Sequence, residues 1–448
     1  MNYSHSIFLR NVFLVLPAAF FGYAHAGGFG LIDMSAASLG NAHAGGAALA
    51  EDASTIYYNP AGLMRLPGRQ FTLAGTAIRP SAKFANQGSL SAVGTPLTGG
   101  NGGDAGAWAG VPGLFYAMDA APNLRFGLGV HVPFGLKTEY DEGWVGRYQA
   151  LKSELKTINV NPVLGYRISD AVFIGGGLSA QYADVNISSA IDFGTVCVGS
   201  PLGAATCAPL GFLPQQKDGL VKIDGTDWGY GFNLGAMFTP SNTMRYGITY
   251  RSKISHELSG GNARFSLPVG LPAPLAASPN FSDTGVKASV DLPESINLSG
   301  YADVDPVWSV MGDINWVRWS RFEELRVRRA NGATDFATPE KWRDTWRVSA
   351  AVNYHYNDEW KFRGGLAYDQ TPVKDEFRTA RIPDSDRTWL AFGAQYKPSK
   401  QGTWDVGYAH LFIKDSTLNK ADPPIGGTLI GKYSNDVNLF SVQYNYAF

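Results

Sequence analysis

The side chains that could support catalysis are scattered along this chain of 448 residues. Histidines stand at 43, 131, 256, 355 and 410, with no nucleophile at motif spacing from any of them. No Gly-x-Ser-x-Gly, His-Glu-x-x-His or Walker-type run is present. Gly175-Gly176-Gly177 sits inside a strand pattern and opens no helix, so it cradles no phosphate. His355 and His410 are expected to line a wall. Cys197 and Cys207 flank a short stretch containing glycine and proline, and are expected to form a loop disulfide; a metal site would need further ligands. The chain therefore reads as a non-enzyme with no metal and no cofactor.

The chemistry that remains is the binding of apolar matter. Two glycine- and proline-rich stretches are unusually greasy. One carries Val198, Pro201, Leu202, Leu210, Phe212 and Leu213, the other Leu267, Val269, Leu271, Leu275 and Phe281. Such patches either capture a ligand or pack on one another. Elsewhere Val132-Pro133-Phe134-Gly135 interrupts a strand pattern, which predicts a bulge or bend, because proline lacks a ladder donor and glycine weakens pairing. Asn59-Pro60-Ala61 predicts a rigid turn.

The elements that must position these residues alternate with period two. Trp346, Val348, Ala350, Val352, Tyr354 and Tyr356 are apolar or aromatic, while Arg347, Ser349, Asn353 and His355 interleave them. Trp360–Asp369, Trp308–Trp316 and Phe440–Phe448 repeat the pattern. Aromatics at both ends of the apolar rows fit lipid with two interfaces. Short polar turns alternate with longer stretches near 85–107, 138–150, 189–222, 260–283, 328–342, 371–386 and 415–434. Six turns and seven loops imply an all-β fold, a 14-stranded antiparallel transmembrane β-barrel.

Composition agrees. Charged residues make up 17%, below the roughly 25% of soluble domains, and a net charge of -1 excludes a phosphate-neutralising nucleic-acid binder. Arg10, the apolar run Val12–Phe21 and Ala24-His25-Ala26 read as a secretory signal over residues 1–26, with an uncleaved anchor as the alternative. Residues 27–66, rich in Gly, Ala and Ser, lack alternation and are expected to plug the lumen before a barrel over residues 67–448.

That segment carries Gly28-Phe29-Gly30-Leu31, Leu39-Gly40-Asn41-Ala42-His43-Ala44-Gly45 and Tyr58-Asn59-Pro60-Ala61-Gly62. It resembles the N-terminal hatch of the outer-membrane long-chain fatty acid transporter family (FadL/TodX type). Leu292-Pro293-Glu294, Trp316–Leu325, Ile382-Pro383-Asp384 and the terminal Tyr444–Phe448 extend the resemblance along nearly the whole chain.

The resemblance implies a passive transporter of hydrophobic molecules, foremost long-chain fatty acids, in the outer membrane of a Gram-negative bacterium. Substrate would enter among the outer loops at Leu202, Phe212, Leu271 and Phe281, reach a pocket beside Phe29, and leave sideways at the Pro133, Phe134, Gly135 kink. Asp52 would anchor the hatch to luminal Arg or Lys, and Asn59, Pro60 and Ala61 would form a gate beside the kink. Arg326 stands at one of the family's two carboxylate-binding positions. The other falls near Ser189, which is not basic, so Lys222 or Arg264 would have to substitute. That departure leaves room for aromatic hydrocarbons or alkanes. A general diffusion porin is the more distant alternative. The expected partners are the hydrophobic ligand, outer-membrane lipids and, through Phe448, the barrel assembly machinery. No nucleic acid is expected, and the barrel is expected to be a monomer.

Overall fold

The alternating runs form strands that join in one closed antiparallel ring of fourteen crossings. The computed structural model describes residues 27–448, so the expected signal at 1–26 lies outside the described residues. The first six crossings are Gln70–Asn86, Ala109–Ala121, Leu124–His131 with Gly135–Glu139, Lys152–Arg167, Val172–Asp192 and Asp218–Phe238. The next four each have two arms: Met244–Arg251 with Ile254–Ser266, Thr284–Leu292 with Ser295–Asp303, Trp308–Val317 with Glu324–Arg329, and Phe336–Pro339 with Thr345–His355. Trp360–Asp369, Arg387–Tyr396, Gly402–Ile413 with Ser416–Asp422, and Gly427–Ala447 complete the ring. It closes where the first crossing pairs with the last, from Gln70 opposite Ala447 to Asn86 opposite Gly431.

The outside of the ring is apolar and the inside is polar. On the tenth crossing Trp346, Val348 and Val352 are exposed, whereas Thr345, Arg347, Ser349 and Asn353 are buried. On the short-turn side, Trp308 pairs with Tyr354, Trp360 with Tyr396 and Trp404 with Tyr444 directly across strands, each with ring centroids 4.6 Å apart. Such aromatic pairs contribute about 0.5–1.5 kcal/mol each beyond their burial. No helix among the described residues is long and apolar enough to cross a membrane. The six short turns lie where alternation ends. Two expected long loops do not exist as such: within 328–342 and 415–434 the strands continue upward as hairpins, Arg326 opposite Ala337 and Ser416 opposite Tyr433. These extensions rise past the apolar band, where neither face needs apolar side chains, so alternation disappears while pairing persists.

The N-terminal segment adds no strand. Ser35 caps the short helix Ala36–Gly40 by accepting from the Ser38 N–H, and Pro60 opens the 3-10 turn Pro60–Arg65. The segment meets every crossing, which places it within the ring. Thr76 Oγ1 of the first donates to Asp33 O, and Gln443 Oε1 of the last accepts from Ala36 N–H. Ser299 of the eighth and Arg347 of the tenth bond the backbone of Ala47 and Ala42, and Met311 of the ninth lies against Gly45. Elsewhere glycine makes the contact: a Cβ on Gly247 would overlap the Ala47 carbonyl oxygen, and one on Gly365 would overlap the Asn41 carbonyl. A Cβ on Gly113, Gly129, Gly165, Gly175, Gly235, Gly393 or Gly407 would lie within 2.1–3.0 Å of the segment. These nine glycines form a seam along which the wall approaches the segment too closely for a side chain.

Candidate functional site

Under the outer loops lies a cavity of about 420 Å³, walled by Ile187, Ala190, Ile191, Val221, Ile223, Phe281, Leu325, Val327 and Phe336. The greasy loops roof it by packing together. Phe193 meets Phe281 edge-on at 4.8 Å, Phe212 is fully buried, and Cys197 and Cys207 form the expected disulfide. Leu202 and Leu271 are half-buried in the same cluster. Leu210, Leu213 and Val269 remain exposed on the outside of the roof.

Two guanidinium groups enter this apolar cavity. Arg329 donates to Thr334 O, Asn280 O and Asn280 Oδ1, and lies over the Phe336 ring at 4.8 Å. Arg381, on an outer loop, donates to Ser153 Oγ and to the carbonyls of Lys152 and Ser188. All of these acceptors are neutral, although Asp335 and Asp422 also stand on the cavity wall. Burial lowers the pKa of Arg381 against the pull of Asp422 and Glu340.

Leu325 also packs on a second apolar cluster beneath the cavity. There Phe29 is caged by Phe134, Trp319, Phe322 and Trp342, with ring centroids 4.8–6.3 Å away. The Trp342 indole N–H donates to Glu340, six residues beyond Trp346 and so above the apolar band. Burial pushes the Glu340 carboxyl up from 4.5 to about 7. The folded state therefore holds this proton where the unfolded chain has lost it, and stability falls as pH rises from 4.5 to about 7. Glu340→Gln is expected to flatten that part of a Tm-against-pH curve. An unchanged slope would show that Glu340 does not retain its proton.

The cage opens onto the break in the third crossing. Pairing with the second crossing stops at Gly113 opposite His131, and beyond it Ala109–Pro112 have no partner on that side. Against the fourth crossing, His131 opposes Asn159 and Gly135 opposes Lys156, so three residues stand over two. This is a bulge with one extra residue. The inward parity accordingly switches from odd to even, with His131 buried before the bulge and Leu136 and Thr138 after it. The N-terminal segment takes up the freed backbone: Leu31 N–H donates to Pro133 O, and Gly135 N–H donates to Phe29 O.

Several expected positions differ. Arg326 does not line the cavity: it pairs with Glu324 among charged residues on the opposite side of its strand, and with Asp335 at the cavity's edge. Lys222 is exposed, and Arg264 pairs with Asp224 on the exterior; Ser189 does line the cavity. Asp52 accepts from Ser54 N–H and Gln443, with no Arg or Lys. Its neighbour Glu51 takes the cations instead, bonding Lys361 and Arg363. Asn59 lies beside the sixth crossing and away from the bulge, accepting from Ala61 N–H and donating to Ala47 O and Ala236 O. Phe448 is exposed, and its N–H donates to Arg69 O.

Comparison with known proteins agrees with this architecture. Residues 18–448 match the family described as Outer membrane protein transport protein (OMPP1/FadL/TodX). The chain is 29% identical to the long-chain fatty acid transport protein of Escherichia coli K12, over 99% of both chains. It is 28% identical to outer membrane protein P1 of Haemophilus influenzae, over 95% of this chain and 96% of that one. A crystal structure of a Pseudomonas aeruginosa FadL homologue superposes with a TM-score of 0.86 at 26% identity, over 94% of this chain and all of that one. The Ralstonia pickettii toluene transporter TbuX shares the fold, with a TM-score of 0.63 at 20% identity over 92% and 99% of the two chains. With its family match running through the hatch-like segment and all fourteen crossings, the chain belongs to the OMPP1/FadL/TodX family of outer-membrane transport proteins of Gram-negative bacteria.

Proposed function

We propose that this barrel takes up long-chain fatty acids passively. The acid enters beneath the greasy loops, rests in the outer cavity, passes the Phe29 cage and leaves sideways at the third-crossing bulge. Residues 27–66 act as the hatch that closes the lumen to water. The observation that carries the reading is a cavity with an apolar wall and two arginines that hydrogen-bond only neutral acceptors, with Asp335 and Asp422 on its wall but bonded to neither. A carboxylate on an alkyl tail satisfies both halves of that environment, because charge-assisted hydrogen bonds offset the cost of taking the anion out of water. The fatty acid transport relatives support the same choice. A neutral hydrocarbon would use the cage and leave the guanidinium pair without a role. The protein works as a monomer, and Phe448 presents the terminal aromatic to the assembly machinery.

Arg381→Gln with Arg329→Gln is expected to weaken oleate binding about a hundredfold, on the scale of two charge-assisted hydrogen bonds. Arg326→Gln should leave it unchanged. Equal oleate affinity in the double variant and wild type, measured on purified folded protein, would rule out the carboxylate clamp.

A further inference from the structure

Below the cage, two small cavities lie between the hatch and the wall, of about 80 and about 70 Å³. Ile32, Tyr57, Arg251, Ser295, Asn315 and Arg347 line both. The larger reaches Pro133 and Phe134 at the bulge. Arg251 closes the inner arm of the seventh crossing, where Thr249 and Arg251 point inward with the same parity as Gly247. Its guanidinium lies 4.6 Å over the Tyr57 ring and donates to Tyr57 O at 2.8 Å. That ring in turn meets His131, the last residue before the bulge, at 4.9 Å. Arg251 therefore stands one aromatic ring from the point where the wall opens.

The charge of Arg251 has no carboxylate within ion-pair distance among the described residues. Three other basic groups around the hatch have one: Arg347 meets Asp313, Lys361 meets Glu51, and Arg363 meets both Glu51 and Asp405. Arg245, bonded to Leu49 O over the Tyr301 ring, shares the lack of one but lines neither cavity. Directly across the strand from Arg251 is Asn233, 2% exposed, whose Nδ2 has no hydrogen-bond partner and whose side chain lines the smaller cavity. A cation without an anion and an amide donor without an acceptor thus converge on one crevice. Groups in that state favour an anionic oxygen ligand.

We infer that Arg251 and Asn233 form an inner carboxylate station. The head group of a long-chain acid is held there while its tail lies at the third-crossing bulge. The inference rests on the transport reading above. An amphiphile leaving sideways surrenders its tail to lipid first, so its head needs a hydrogen-bonding stop between the outer arginines and the exit. The crevice is wide enough for a carboxylate.

Two measurements test this. The first is crystallography of the full barrel with 2-bromohexadecanoate, whose bromine marks the head group by anomalous scattering, and in parallel with sodium bromide. The expected result is a bromine site in the Arg251 crevice with the acid, lost in Arg251→Gln. A bromine beside Arg381 alone would overturn the inner station while leaving the transport reading standing. Bromide filling the crevice while the acid stays out would overturn it in favour of a small-anion site.

The second is uptake by cells. Asn233→Asp supplies Arg251 with its own carboxylate and keeps the Arg251–Tyr57 bond to the hatch. It is expected to slow oleate uptake about tenfold, the scale of one charge-assisted hydrogen bond, with oleate binding at the outer cavity and uptake of neutral octadecene unchanged. Unchanged oleate uptake, or equal loss of both substrates, would refute the station. Wild-type cells that take up oleate no faster than cells lacking the protein would refute the transport reading itself.

Discussion

Valine at Gly247 and Gly365 together is expected to turn a closed barrel into an open pore. At both positions the wall has no room for a Cβ, because a hatch backbone carbonyl already occupies that space. Something must move, and the two partners are held unequally. The inner arm of the seventh crossing, Met244–Arg251, and the eleventh crossing are locked into uninterrupted ladders with their neighbours. The hatch is held by scattered side-chain bonds, such as those of Ser299 to Ala47, Gln443 to Ala36 and Glu51 to the Lys361–Arg363 pair. Each neutral bond contributes about 0.5–1.5 kcal/mol, whereas shifting a strand breaks a whole row of them. The hatch yields first.

In planar bilayers the wild type should show no steady current, and the double variant a large ohmic conductance. Faster migration of the unboiled protein than of the boiled protein in a gel would confirm that the variant barrel has folded. A folded variant that stays silent would show that the glycine seam does not hold the lumen shut. A steadily conducting wild type would show that residues 27–66 do not close it at all.

Removing Pro133 should abolish uptake while sparing capture. The bulge sets three residues against two, so one deletion restores an unbroken register with the fourth crossing. Leu136 and Thr138 keep their inward facing, since the deletion also cancels the switch of parity. What disappears is the place where the wall gapes, together with the pairing that Phe29–Leu31 makes there. Oleate uptake is expected to fall to that of cells lacking the protein, and oleate affinity at the outer cavity to remain that of the wild type. Normal uptake in a folded deletion variant would place the exit elsewhere.

Much of this was legible in the residues and some was misread. Outward rows such as Trp346-x-Val348 were plain, because lipid demands apolar side chains on one face and the lumen forbids them on the other. The hairpin extensions were not, because above the membrane neither solvent imposes a pattern. Arg326 is the instructive case. Resemblance singled it out, yet counting inward positions from Ser309, Met311 and Asp313 reaches Leu325, Val327 and Arg329, which do line the cavity. Alternation survives the interruption at Trp319–Arg321, and it outranked the analogy. Arg381 was invisible for the opposite reason: it comes from an outer loop, where no periodicity says which way a side chain points. Glu51 and Asp52 differ by one position in a segment without period, so their exchange of roles could only be seen in three dimensions.

The bonds from Gln443 to Ala36 and Asp52 join the earliest part of the described chain to its final strand. They also impose an order in time. The hatch leaves the ribosome long before the strand that will hold it, and no crossing can complete the ring until Gln70–Asn86 meets residues 431–447. On the proposed reading, in which residues 27–66 close the lumen, a plug has no route in once the ring is complete. The ring would then close around a hatch already in place, each molecule would be assembled shut, and its first opening would be made by whatever it carries.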